Sequence, residues 1–327
     1  MNKVFFTLLC LLIFGSAIVL SAQDKTTTSG KKGQVVVLDA KKLDSANRQQ
    51  GKKQSKEPTR DMIFNSGKAP QKDLTPQEKE GEAYFTSGSK KGKEGNYQGA
   101  IADFTKSLQY SENAMTYMKR GYTYMLMGQF ALAIEDENKS LGLHDPNAKA
   151  YYVRGACKFN LNDMDGAEKD LANALDLDRM NPSAFNYMAA VMIQKQDFKE
   201  ALENYNFVVR LDSTFPDIWT NRGMVRHYLK DFSGAIADYN IALKRDPKSS
   251  SAYNNRGAAK MMLKDYKSAL PDFDKAIVFN PRYAEAYNNR GRVKHYLGDD
   301  PGACKDWNMA FDMGLPDSKD MIIKYCK

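Results

Sequence analysis

From residue 81 onward, three kinds of residue recur at one fixed spacing, and this limits the fold more than any other feature of the chain. Gly88, Gly121, Gly155, Gly223, Gly257 and Gly291 stand in register at a period of about 34 residues, with Ala189 in the remaining slot and only the step from Gly88 to Gly121 one position shorter. Ala100, Ala133, Ala167, Ala201, Ala235, Ala269 and Ala303 keep the same steps further along each copy. An aromatic precedes each small residue by four: Tyr84, Tyr117, Tyr151, Phe185, Trp219, Tyr253 and Tyr287. Such a chain is built from copies of one unit, and each copy must bury its apolar face against the next.

Within one copy the period is helical. The stretch from Ala252-Tyr253 to Leu263 reads as a first helix, with Gly257 where two helices approach closely. A polar turn, Lys264-Asp265, leads to a second helix with Ala269, Phe273, Ala276 and Ile277 on one face. An aromatic or aliphatic residue follows the alanine by four (Phe104, Leu171, Tyr205, Tyr239, Phe273, Trp307), and Pro247 and Pro281 stand where the unit closes. This pattern resembles the tetratricopeptide repeat over residues 81 to about 317. The resemblance implies an all-α fold, a right-handed α-α superhelix of seven helix-turn-helix repeats (81–113, 114–147, 148–181, 182–215, 216–249, 250–283 and 284–315). A capping helix is expected in 316–327, where Met321, Ile322, Ile323 and Tyr325 form an amphipathic turn after Pro316-Asp317-Ser318. Three departures stand out. Glu137 replaces the aromatic of the second repeat, Pro271 lies inside a second helix that it should weaken or kink, and Asp300-Pro301 opens the last second helix.

Arginine precedes the small residue at Arg120, Arg154, Arg222, Arg256 and Arg290, and a second base follows four positions later at Lys158, Arg226, Lys260 and Lys294. This ridge could hold an external anion or pair internally with the recurring Asp103, Asp136, Asp170, Asp238, Asp272 and Asp306. The fourth repeat decides for internal pairing. It has Met188 and Met192 in place of both bases, and it alone has Asn204 in place of the aspartate. Loss of both signs together is what ion pairs between the two helices of a repeat predict.

The family resemblance also implies a concave groove lined by the first helices. Carried over repeat by repeat, it assigns to the lining Met118, Tyr122, Met125 and Leu126; Tyr152 and Phe159; Met224, His227 and Tyr228; Asn254, Met261 and Met262; and Asn288, His295 and Tyr296. Met, Tyr and Asn suit adaptable contacts with a peptide or partner protein, although some of these side chains are expected to pack between repeats instead. Asn221, Asn255 and Asn289 resemble one element of the clamp with which some relatives hold a terminal carboxylate, but its basic residues are missing. His227 and His295 share one register two repeats apart, with Met261 of the repeat between them, so they read as packing or solvated residues and not as metal ligands.

The chain before residue 81 differs. Lys3 precedes an apolar run from Val4 to Leu20, which reads as a signal peptide over residues 1–22, with an uncleaved anchor as the alternative. Residues 23–80 are polar and without period, a flexible linker. The net charge of +8 divides into +1 from Lys3, +5 from 23–80 (13 bases, 8 acids) and +2 from 81–327 (34 bases, 32 acids). The repeats are thus nearly neutral and nucleic acid is not an expected partner, whereas the basic linker suits contact with an anionic envelope surface. Export would leave Cys157, Cys304 and Cys326 in an oxidising place. Cys304 and Cys326 stand on neighbouring helices and can bridge or remain buried thiols, while Cys157 is expected to be a buried small hydrophobe.

No nucleophile elbow, phosphate loop or metal motif occurs, so neither enzymatic activity nor a cofactor is expected. The sequence favours an exported scaffold of the periplasm, outer envelope or extracellular space that binds another protein or peptide. An accessory or assembly factor of a cell-envelope complex and an anionic-polymer-binding protein are the alternatives.

Overall fold

A computed structural model describes residues 75–143, 147–215 and 217–326. The proposed signal peptide and all of the linker before residue 75 lie outside the described residues. These contain fifteen α-helices and no strand, the all-α architecture of a helical repeat solenoid. They divide into two compact units, 75–215 and 217–326.

The first unit holds four antiparallel helix pairs: α1 (Pro76–Glu94) with α2 (Tyr97–Tyr110), α3 (Ala114–Leu126) with α4 (Phe130–Leu143), α5 (Ala148–Asn160) with α6 (Met164–Leu177), and α7 (Pro182–Gln194) with α8 (Phe198–Leu211). The second holds α9 (Ile218–Tyr228) with α10 (Phe232–Arg245), α11 (Ser250–Met262) with α12 (Tyr266–Phe279), and α13 (Ala284–Tyr296) with α14 (Asp300–Asp312), followed by α15 (Ser318–Tyr325).

Local sequence sets the ends of these helices. Helix α1 starts at Pro76, inside the stretch 23–80 that composition assigns to the linker, because Thr75 and Glu78 form a capping box: Glu78 N–H donates to Thr75 Oγ1 at 3.3 Å and Thr75 N–H to Glu78 Oε2 at 2.8 Å. Every turn from first to second helix reverses through one residue at positive φ: Gly95, Gly128, Asn162, Gln196, Lys230, Lys264 or Gly298. Asn96, Asp163, Asp197, Asp231, Asp265 and Asp299 follow and accept from a backbone N–H three positions on, starting the second helix. Pro301 sits comfortably in the first turn of α14, and α12 runs without interruption through Pro271.

The glycine register marks where two helices touch. A Cβ on Gly257 would lie 2.9 Å from Phe273, and one on Gly291 2.6 Å from Trp307 Nε1. The partner rings are fully buried, as are all seven alanines of the second register. At these glycines the pair closes around one large side chain, which fills the space that the missing Cβ leaves, whereas the fourth pair closes on Ala189.

Helix α15 continues the repeat. Ser318 stands as far beyond Ala284, where α13 begins, as Ala284 stands beyond Ser250, where α11 begins. It is an eighth first helix cut to 8 residues. Ser318 is fully buried and donates to Asn288 Oδ1 at 3.3 Å, and the Tyr325 ring lies 4.2 Å from His295 and 5.7 Å from Trp307. Cys304 and Cys326 are disulfide-bonded, with 5.6 Å between their Cα atoms, and Cys157 is free and buried.

Candidate partner-binding face

The repeated bases and acids meet inside their own repeats. Asp136, Asp170, Asp238, Asp272 and Asp306 are each gripped by the arginine 16 positions earlier, Nε on one oxygen and Nη2 on the other: Arg120, Arg154, Arg222, Arg256 and Arg290. The second base adds a contact to the same carboxylate: Lys158 to Asp170 at 2.8 Å, Arg226 to Asp238 at 3.0 Å, Lys260 to Asp272 at 2.8 Å and Lys294 to Asp306 at 2.8 Å. In the first repeat Ser87 stands in the arginine's place and donates to Asp103 at 2.6 Å, while Lys91, at the second-base position, supplies the cation at 2.7 Å. Burial alone would raise the Asp170 pKa, but Arg154 and Lys158 outweigh it and hold the carboxyl below its ordinary 3.8. In the fourth repeat Met188 and Met192 are buried, and the Asn204 amide donates to the Glu200 carbonyl at 2.9 Å. The regular charges of the repeats are thus internal cross-braces.

The residues assigned to a groove by family register divide by exposure. Met118, Tyr122, Met125, Tyr152, Phe159, His227, Asn254, Met261 and Asn288 are buried. Several of these make contacts within the stack. Tyr152 and Phe159 each pack on Tyr187 at 5.9 Å between centroids, and His227 stands edge-to-face on Phe232 at 4.9 Å. Asn254 accepts from Asn289 at 3.1 Å and donates to Asn255 at 3.3 Å. Burial drives the His227 pKa down to about 3, so its ring is neutral. His295 is half-buried, with Nδ1 2.5 Å from Asp300 Oδ1. The two histidines are therefore engaged separately, and among the described residues no group of three or more His, Cys, Asp and Glu is arranged to hold a metal ion.

The expected lining contracts to a smaller face on the second unit. Tyr228, Met262 and Tyr296 share one register on α9, α11 and α13; the first two are half-buried and Tyr296 is 60% exposed. The Tyr296 ring stacks on Tyr266 at 4.6 Å. Met224 is half-buried one turn before Tyr228. The same lining positions of the last repeat include two charged residues that residue-type reasoning passed over. Glu285 is buried, which pushes its carboxyl up to about 7, and Arg292 is lowered by burial beside Tyr296, Asp317 and Tyr325. Their register was the available signal. In the first unit Lys119 is buried, with Nζ 3.2 Å from Ser89 Oγ and 4.5 Å from the centre of the Phe85 ring. Burial first, then Lys93 and Lys149, bring its pKa down to about 8. No helix among the described residues is long and apolar enough to cross a membrane.

Comparison with known proteins agrees with this geometry. Family models described as tetratricopeptide repeat match residues 148–180, 192–250 and 250–283. No curated protein matches the sequence. A tetratricopeptide repeat protein from Parabacteroides merdae shares the fold with a TM-score of 0.54 and 16% identity, over 76% of this chain and 97% of its own. The C-terminal part of a TPR repeat-containing protein from Cytophaga hutchinsonii gives 0.57 and 19%, over 73% and 98%. YrrB, described as a TPR protein with an unusual peptide-binding site, gives 0.51 and 20%, over 58% and 98%. At these identities the neighbours speak for the fold alone. The repeat register, the paired helices closing on small residues and the matching family models agree: the chain carries tetratricopeptide repeats over residues 148–180 and 192–283, within an all-α helical repeat solenoid.

Proposed function

We propose that this protein is an exported scaffold that holds a peptide or partner protein against the first-helix face of its C-terminal unit. The observation that carries this reading is the stripe Tyr228, Met262 and Tyr296, with Met224 and His295 beside it. These are large side chains that combine apolar surface with a polar or polarizable group, and they stay partly open where neighbouring lining positions are buried. Their spacing along three consecutive first helices suits an elongated ligand lying across the helices. YrrB's description offers a precedent for peptide binding on this fold. Photo-crosslinking tests the proposal, with a benzophenone amino acid placed at Tyr296 and, as control, at Lys267 on a second helix. Crosslinks to one protein at position 296 and not at 267 support it; equal crosslinking at both, or none at 296, overturns it.

The export part of the proposal rests on Lys3 and the apolar run Val4 to Leu20, and the basic linker behind them suits an anionic envelope surface. Fractionation and N-terminal sequencing of the mature chain test it. A chain recovered from the cytoplasm beginning at Met1 would exclude export.

A further inference from the structure

The second repeat carries a carboxyl group where every other repeat carries an apolar or aromatic core residue. Glu137 on α4 takes the place held elsewhere by Phe104, Leu171, Tyr205, Tyr239, Phe273 and Trp307, and like the best buried of them it is 0% exposed. Neither of its oxygens has a hydrogen-bond partner. The carboxyl lies against the closest approach of α3 and α4, where a Cβ on Gly121 would collide with Oε1. The surrounding charges are otherwise engaged. Asp136, next to it on α4, is held by Arg120 of α3; Arg154 of α5 grips Asp170 and Asn138; Lys119 of α3 reaches Ser89. From α5 the buried thiol of Cys157 adds no positive charge.

We propose that Glu137 is held in this core as a neutral carboxylic acid and makes the second repeat a pH-sensitive weak point, whose helix pair opens when the proton is lost. An ionised carboxylate here would be buried without a hydrogen bond or a dedicated cation, which a folded core does not tolerate. Burial and the neighbouring Asp136 push its pKa well above the ordinary 4.5, against a smaller opposing pull from Arg154. The sign follows from linkage. The closed repeat binds the proton more tightly than the open one, so closure is fully favoured below 4.5 and loses ground as pH rises towards the folded-state value.

Hydrogen exchange of the full chain, read peptide by peptide and corrected for intrinsic rates, tests this from pH 5 to 8. In the wild type, protection over 130–143 is expected to fall by about tenfold per pH unit relative to 164–177, the second helix of the next repeat. Glu137→Leu, the residue of the third repeat, should remove that relative fall, and Glu137→Gln should remove it as well while keeping the polar group. If Glu137→Leu does not fold, the Gln variant still decides. A wild-type profile over 130–143 that tracks 164–177, or a relative fall that persists in either folded variant, overturns the proposal.

Discussion

Asp238 is almost completely buried, and Arg222 holds both its carboxylate oxygens, Nε on Oδ2 at 2.9 Å and Nη2 on Oδ1 at 2.7 Å. Arg226 adds a third contact at 3.0 Å. Asp238→Lys would leave three cations facing one another in this space. It is expected to cost about 3–5 kcal/mol, the usual cost of breaking a buried pair from one side, read by chemical denaturation. Unchanged stability in this variant would show that the cross-brace is ornamental. Because Arg154 and Lys158 hold Asp170 below its ordinary 3.8, its contribution is present above that value and is lost as pH falls through the depressed value.

The fourth repeat supplies the reverse experiment. Met188, Met192 and Asn204 are all buried at the register positions that hold the two bases and the aspartate elsewhere, so Met188→Arg introduces a cation with no aspartate at the position that pairs with it in the other repeats. A loss of roughly 3 kcal/mol or more is expected. Adding Met192→Lys and Asn204→Asp rebuilds the brace of the other repeats and should recover most of that loss in the same assay. A triple variant no more stable than the single one would mean that the charges do not act as a set.

Lys264 adopts a φ of +62° in the turn between α11 and α12, where the last repeat has Gly298 at +85°. A side chain pays for this conformation and glycine does not. Lys264→Gly is therefore expected to raise stability by about 1 kcal/mol, and Gly298→Lys to lower it by about as much. A Cβ on Gly298 meets nothing within 4 Å, so the second effect would come from the backbone alone. Thermal unfolding of both variants checks the pair of opposite signs.

The bridge from Cys304 to Cys326 spans a sequence separation of 22 and ties down a helix of 8 residues, too short to be stable alone. Replacing both cysteines by serine should cost roughly 3 kcal/mol by loop entropy. The loss should appear first as exchange over 318–325. The non-reduced mature chain, without Cys10 of the proposed signal peptide, should release one thiol, Cys157, and only after unfolding, because burial raises its pKa and shields it. Three titratable thiols in the unfolded, non-reduced mature chain would refute the bridge.

Much of the molecule was legible in the chain because it is local. Helix pairs follow from spacing, and the turn residues and Asx caps are written at fixed offsets. Some signals were present but easy to pass over. Thr75-Pro76-Gln77-Glu78 encodes the start of α1, and the full repeat step from Ala284 to Ser318 identifies α15 as an eighth first helix. The internal pairing of Arg222 with Asp238 could be argued from the fourth repeat, since a change that removes both partners identifies them as partners.

Exposure was not legible, because residues at the same offset meet different neighbours. Met261 and His295 share a register, yet one is buried and the other faces Asp300 and Tyr325 under the capping helix. Asn254 looks like a groove residue by type and position, yet it is fully engaged with Asn255 and Asn289. By itself the sequence determined the repeat, its helices, their turns and the pairing of its charges, all set by short-range spacing and propensity. Only the tertiary structure decided which of those side chains stay open to a partner and that Glu137 is left without one, since burial and hydrogen-bond satisfaction depend on what the neighbouring helices bring to each position.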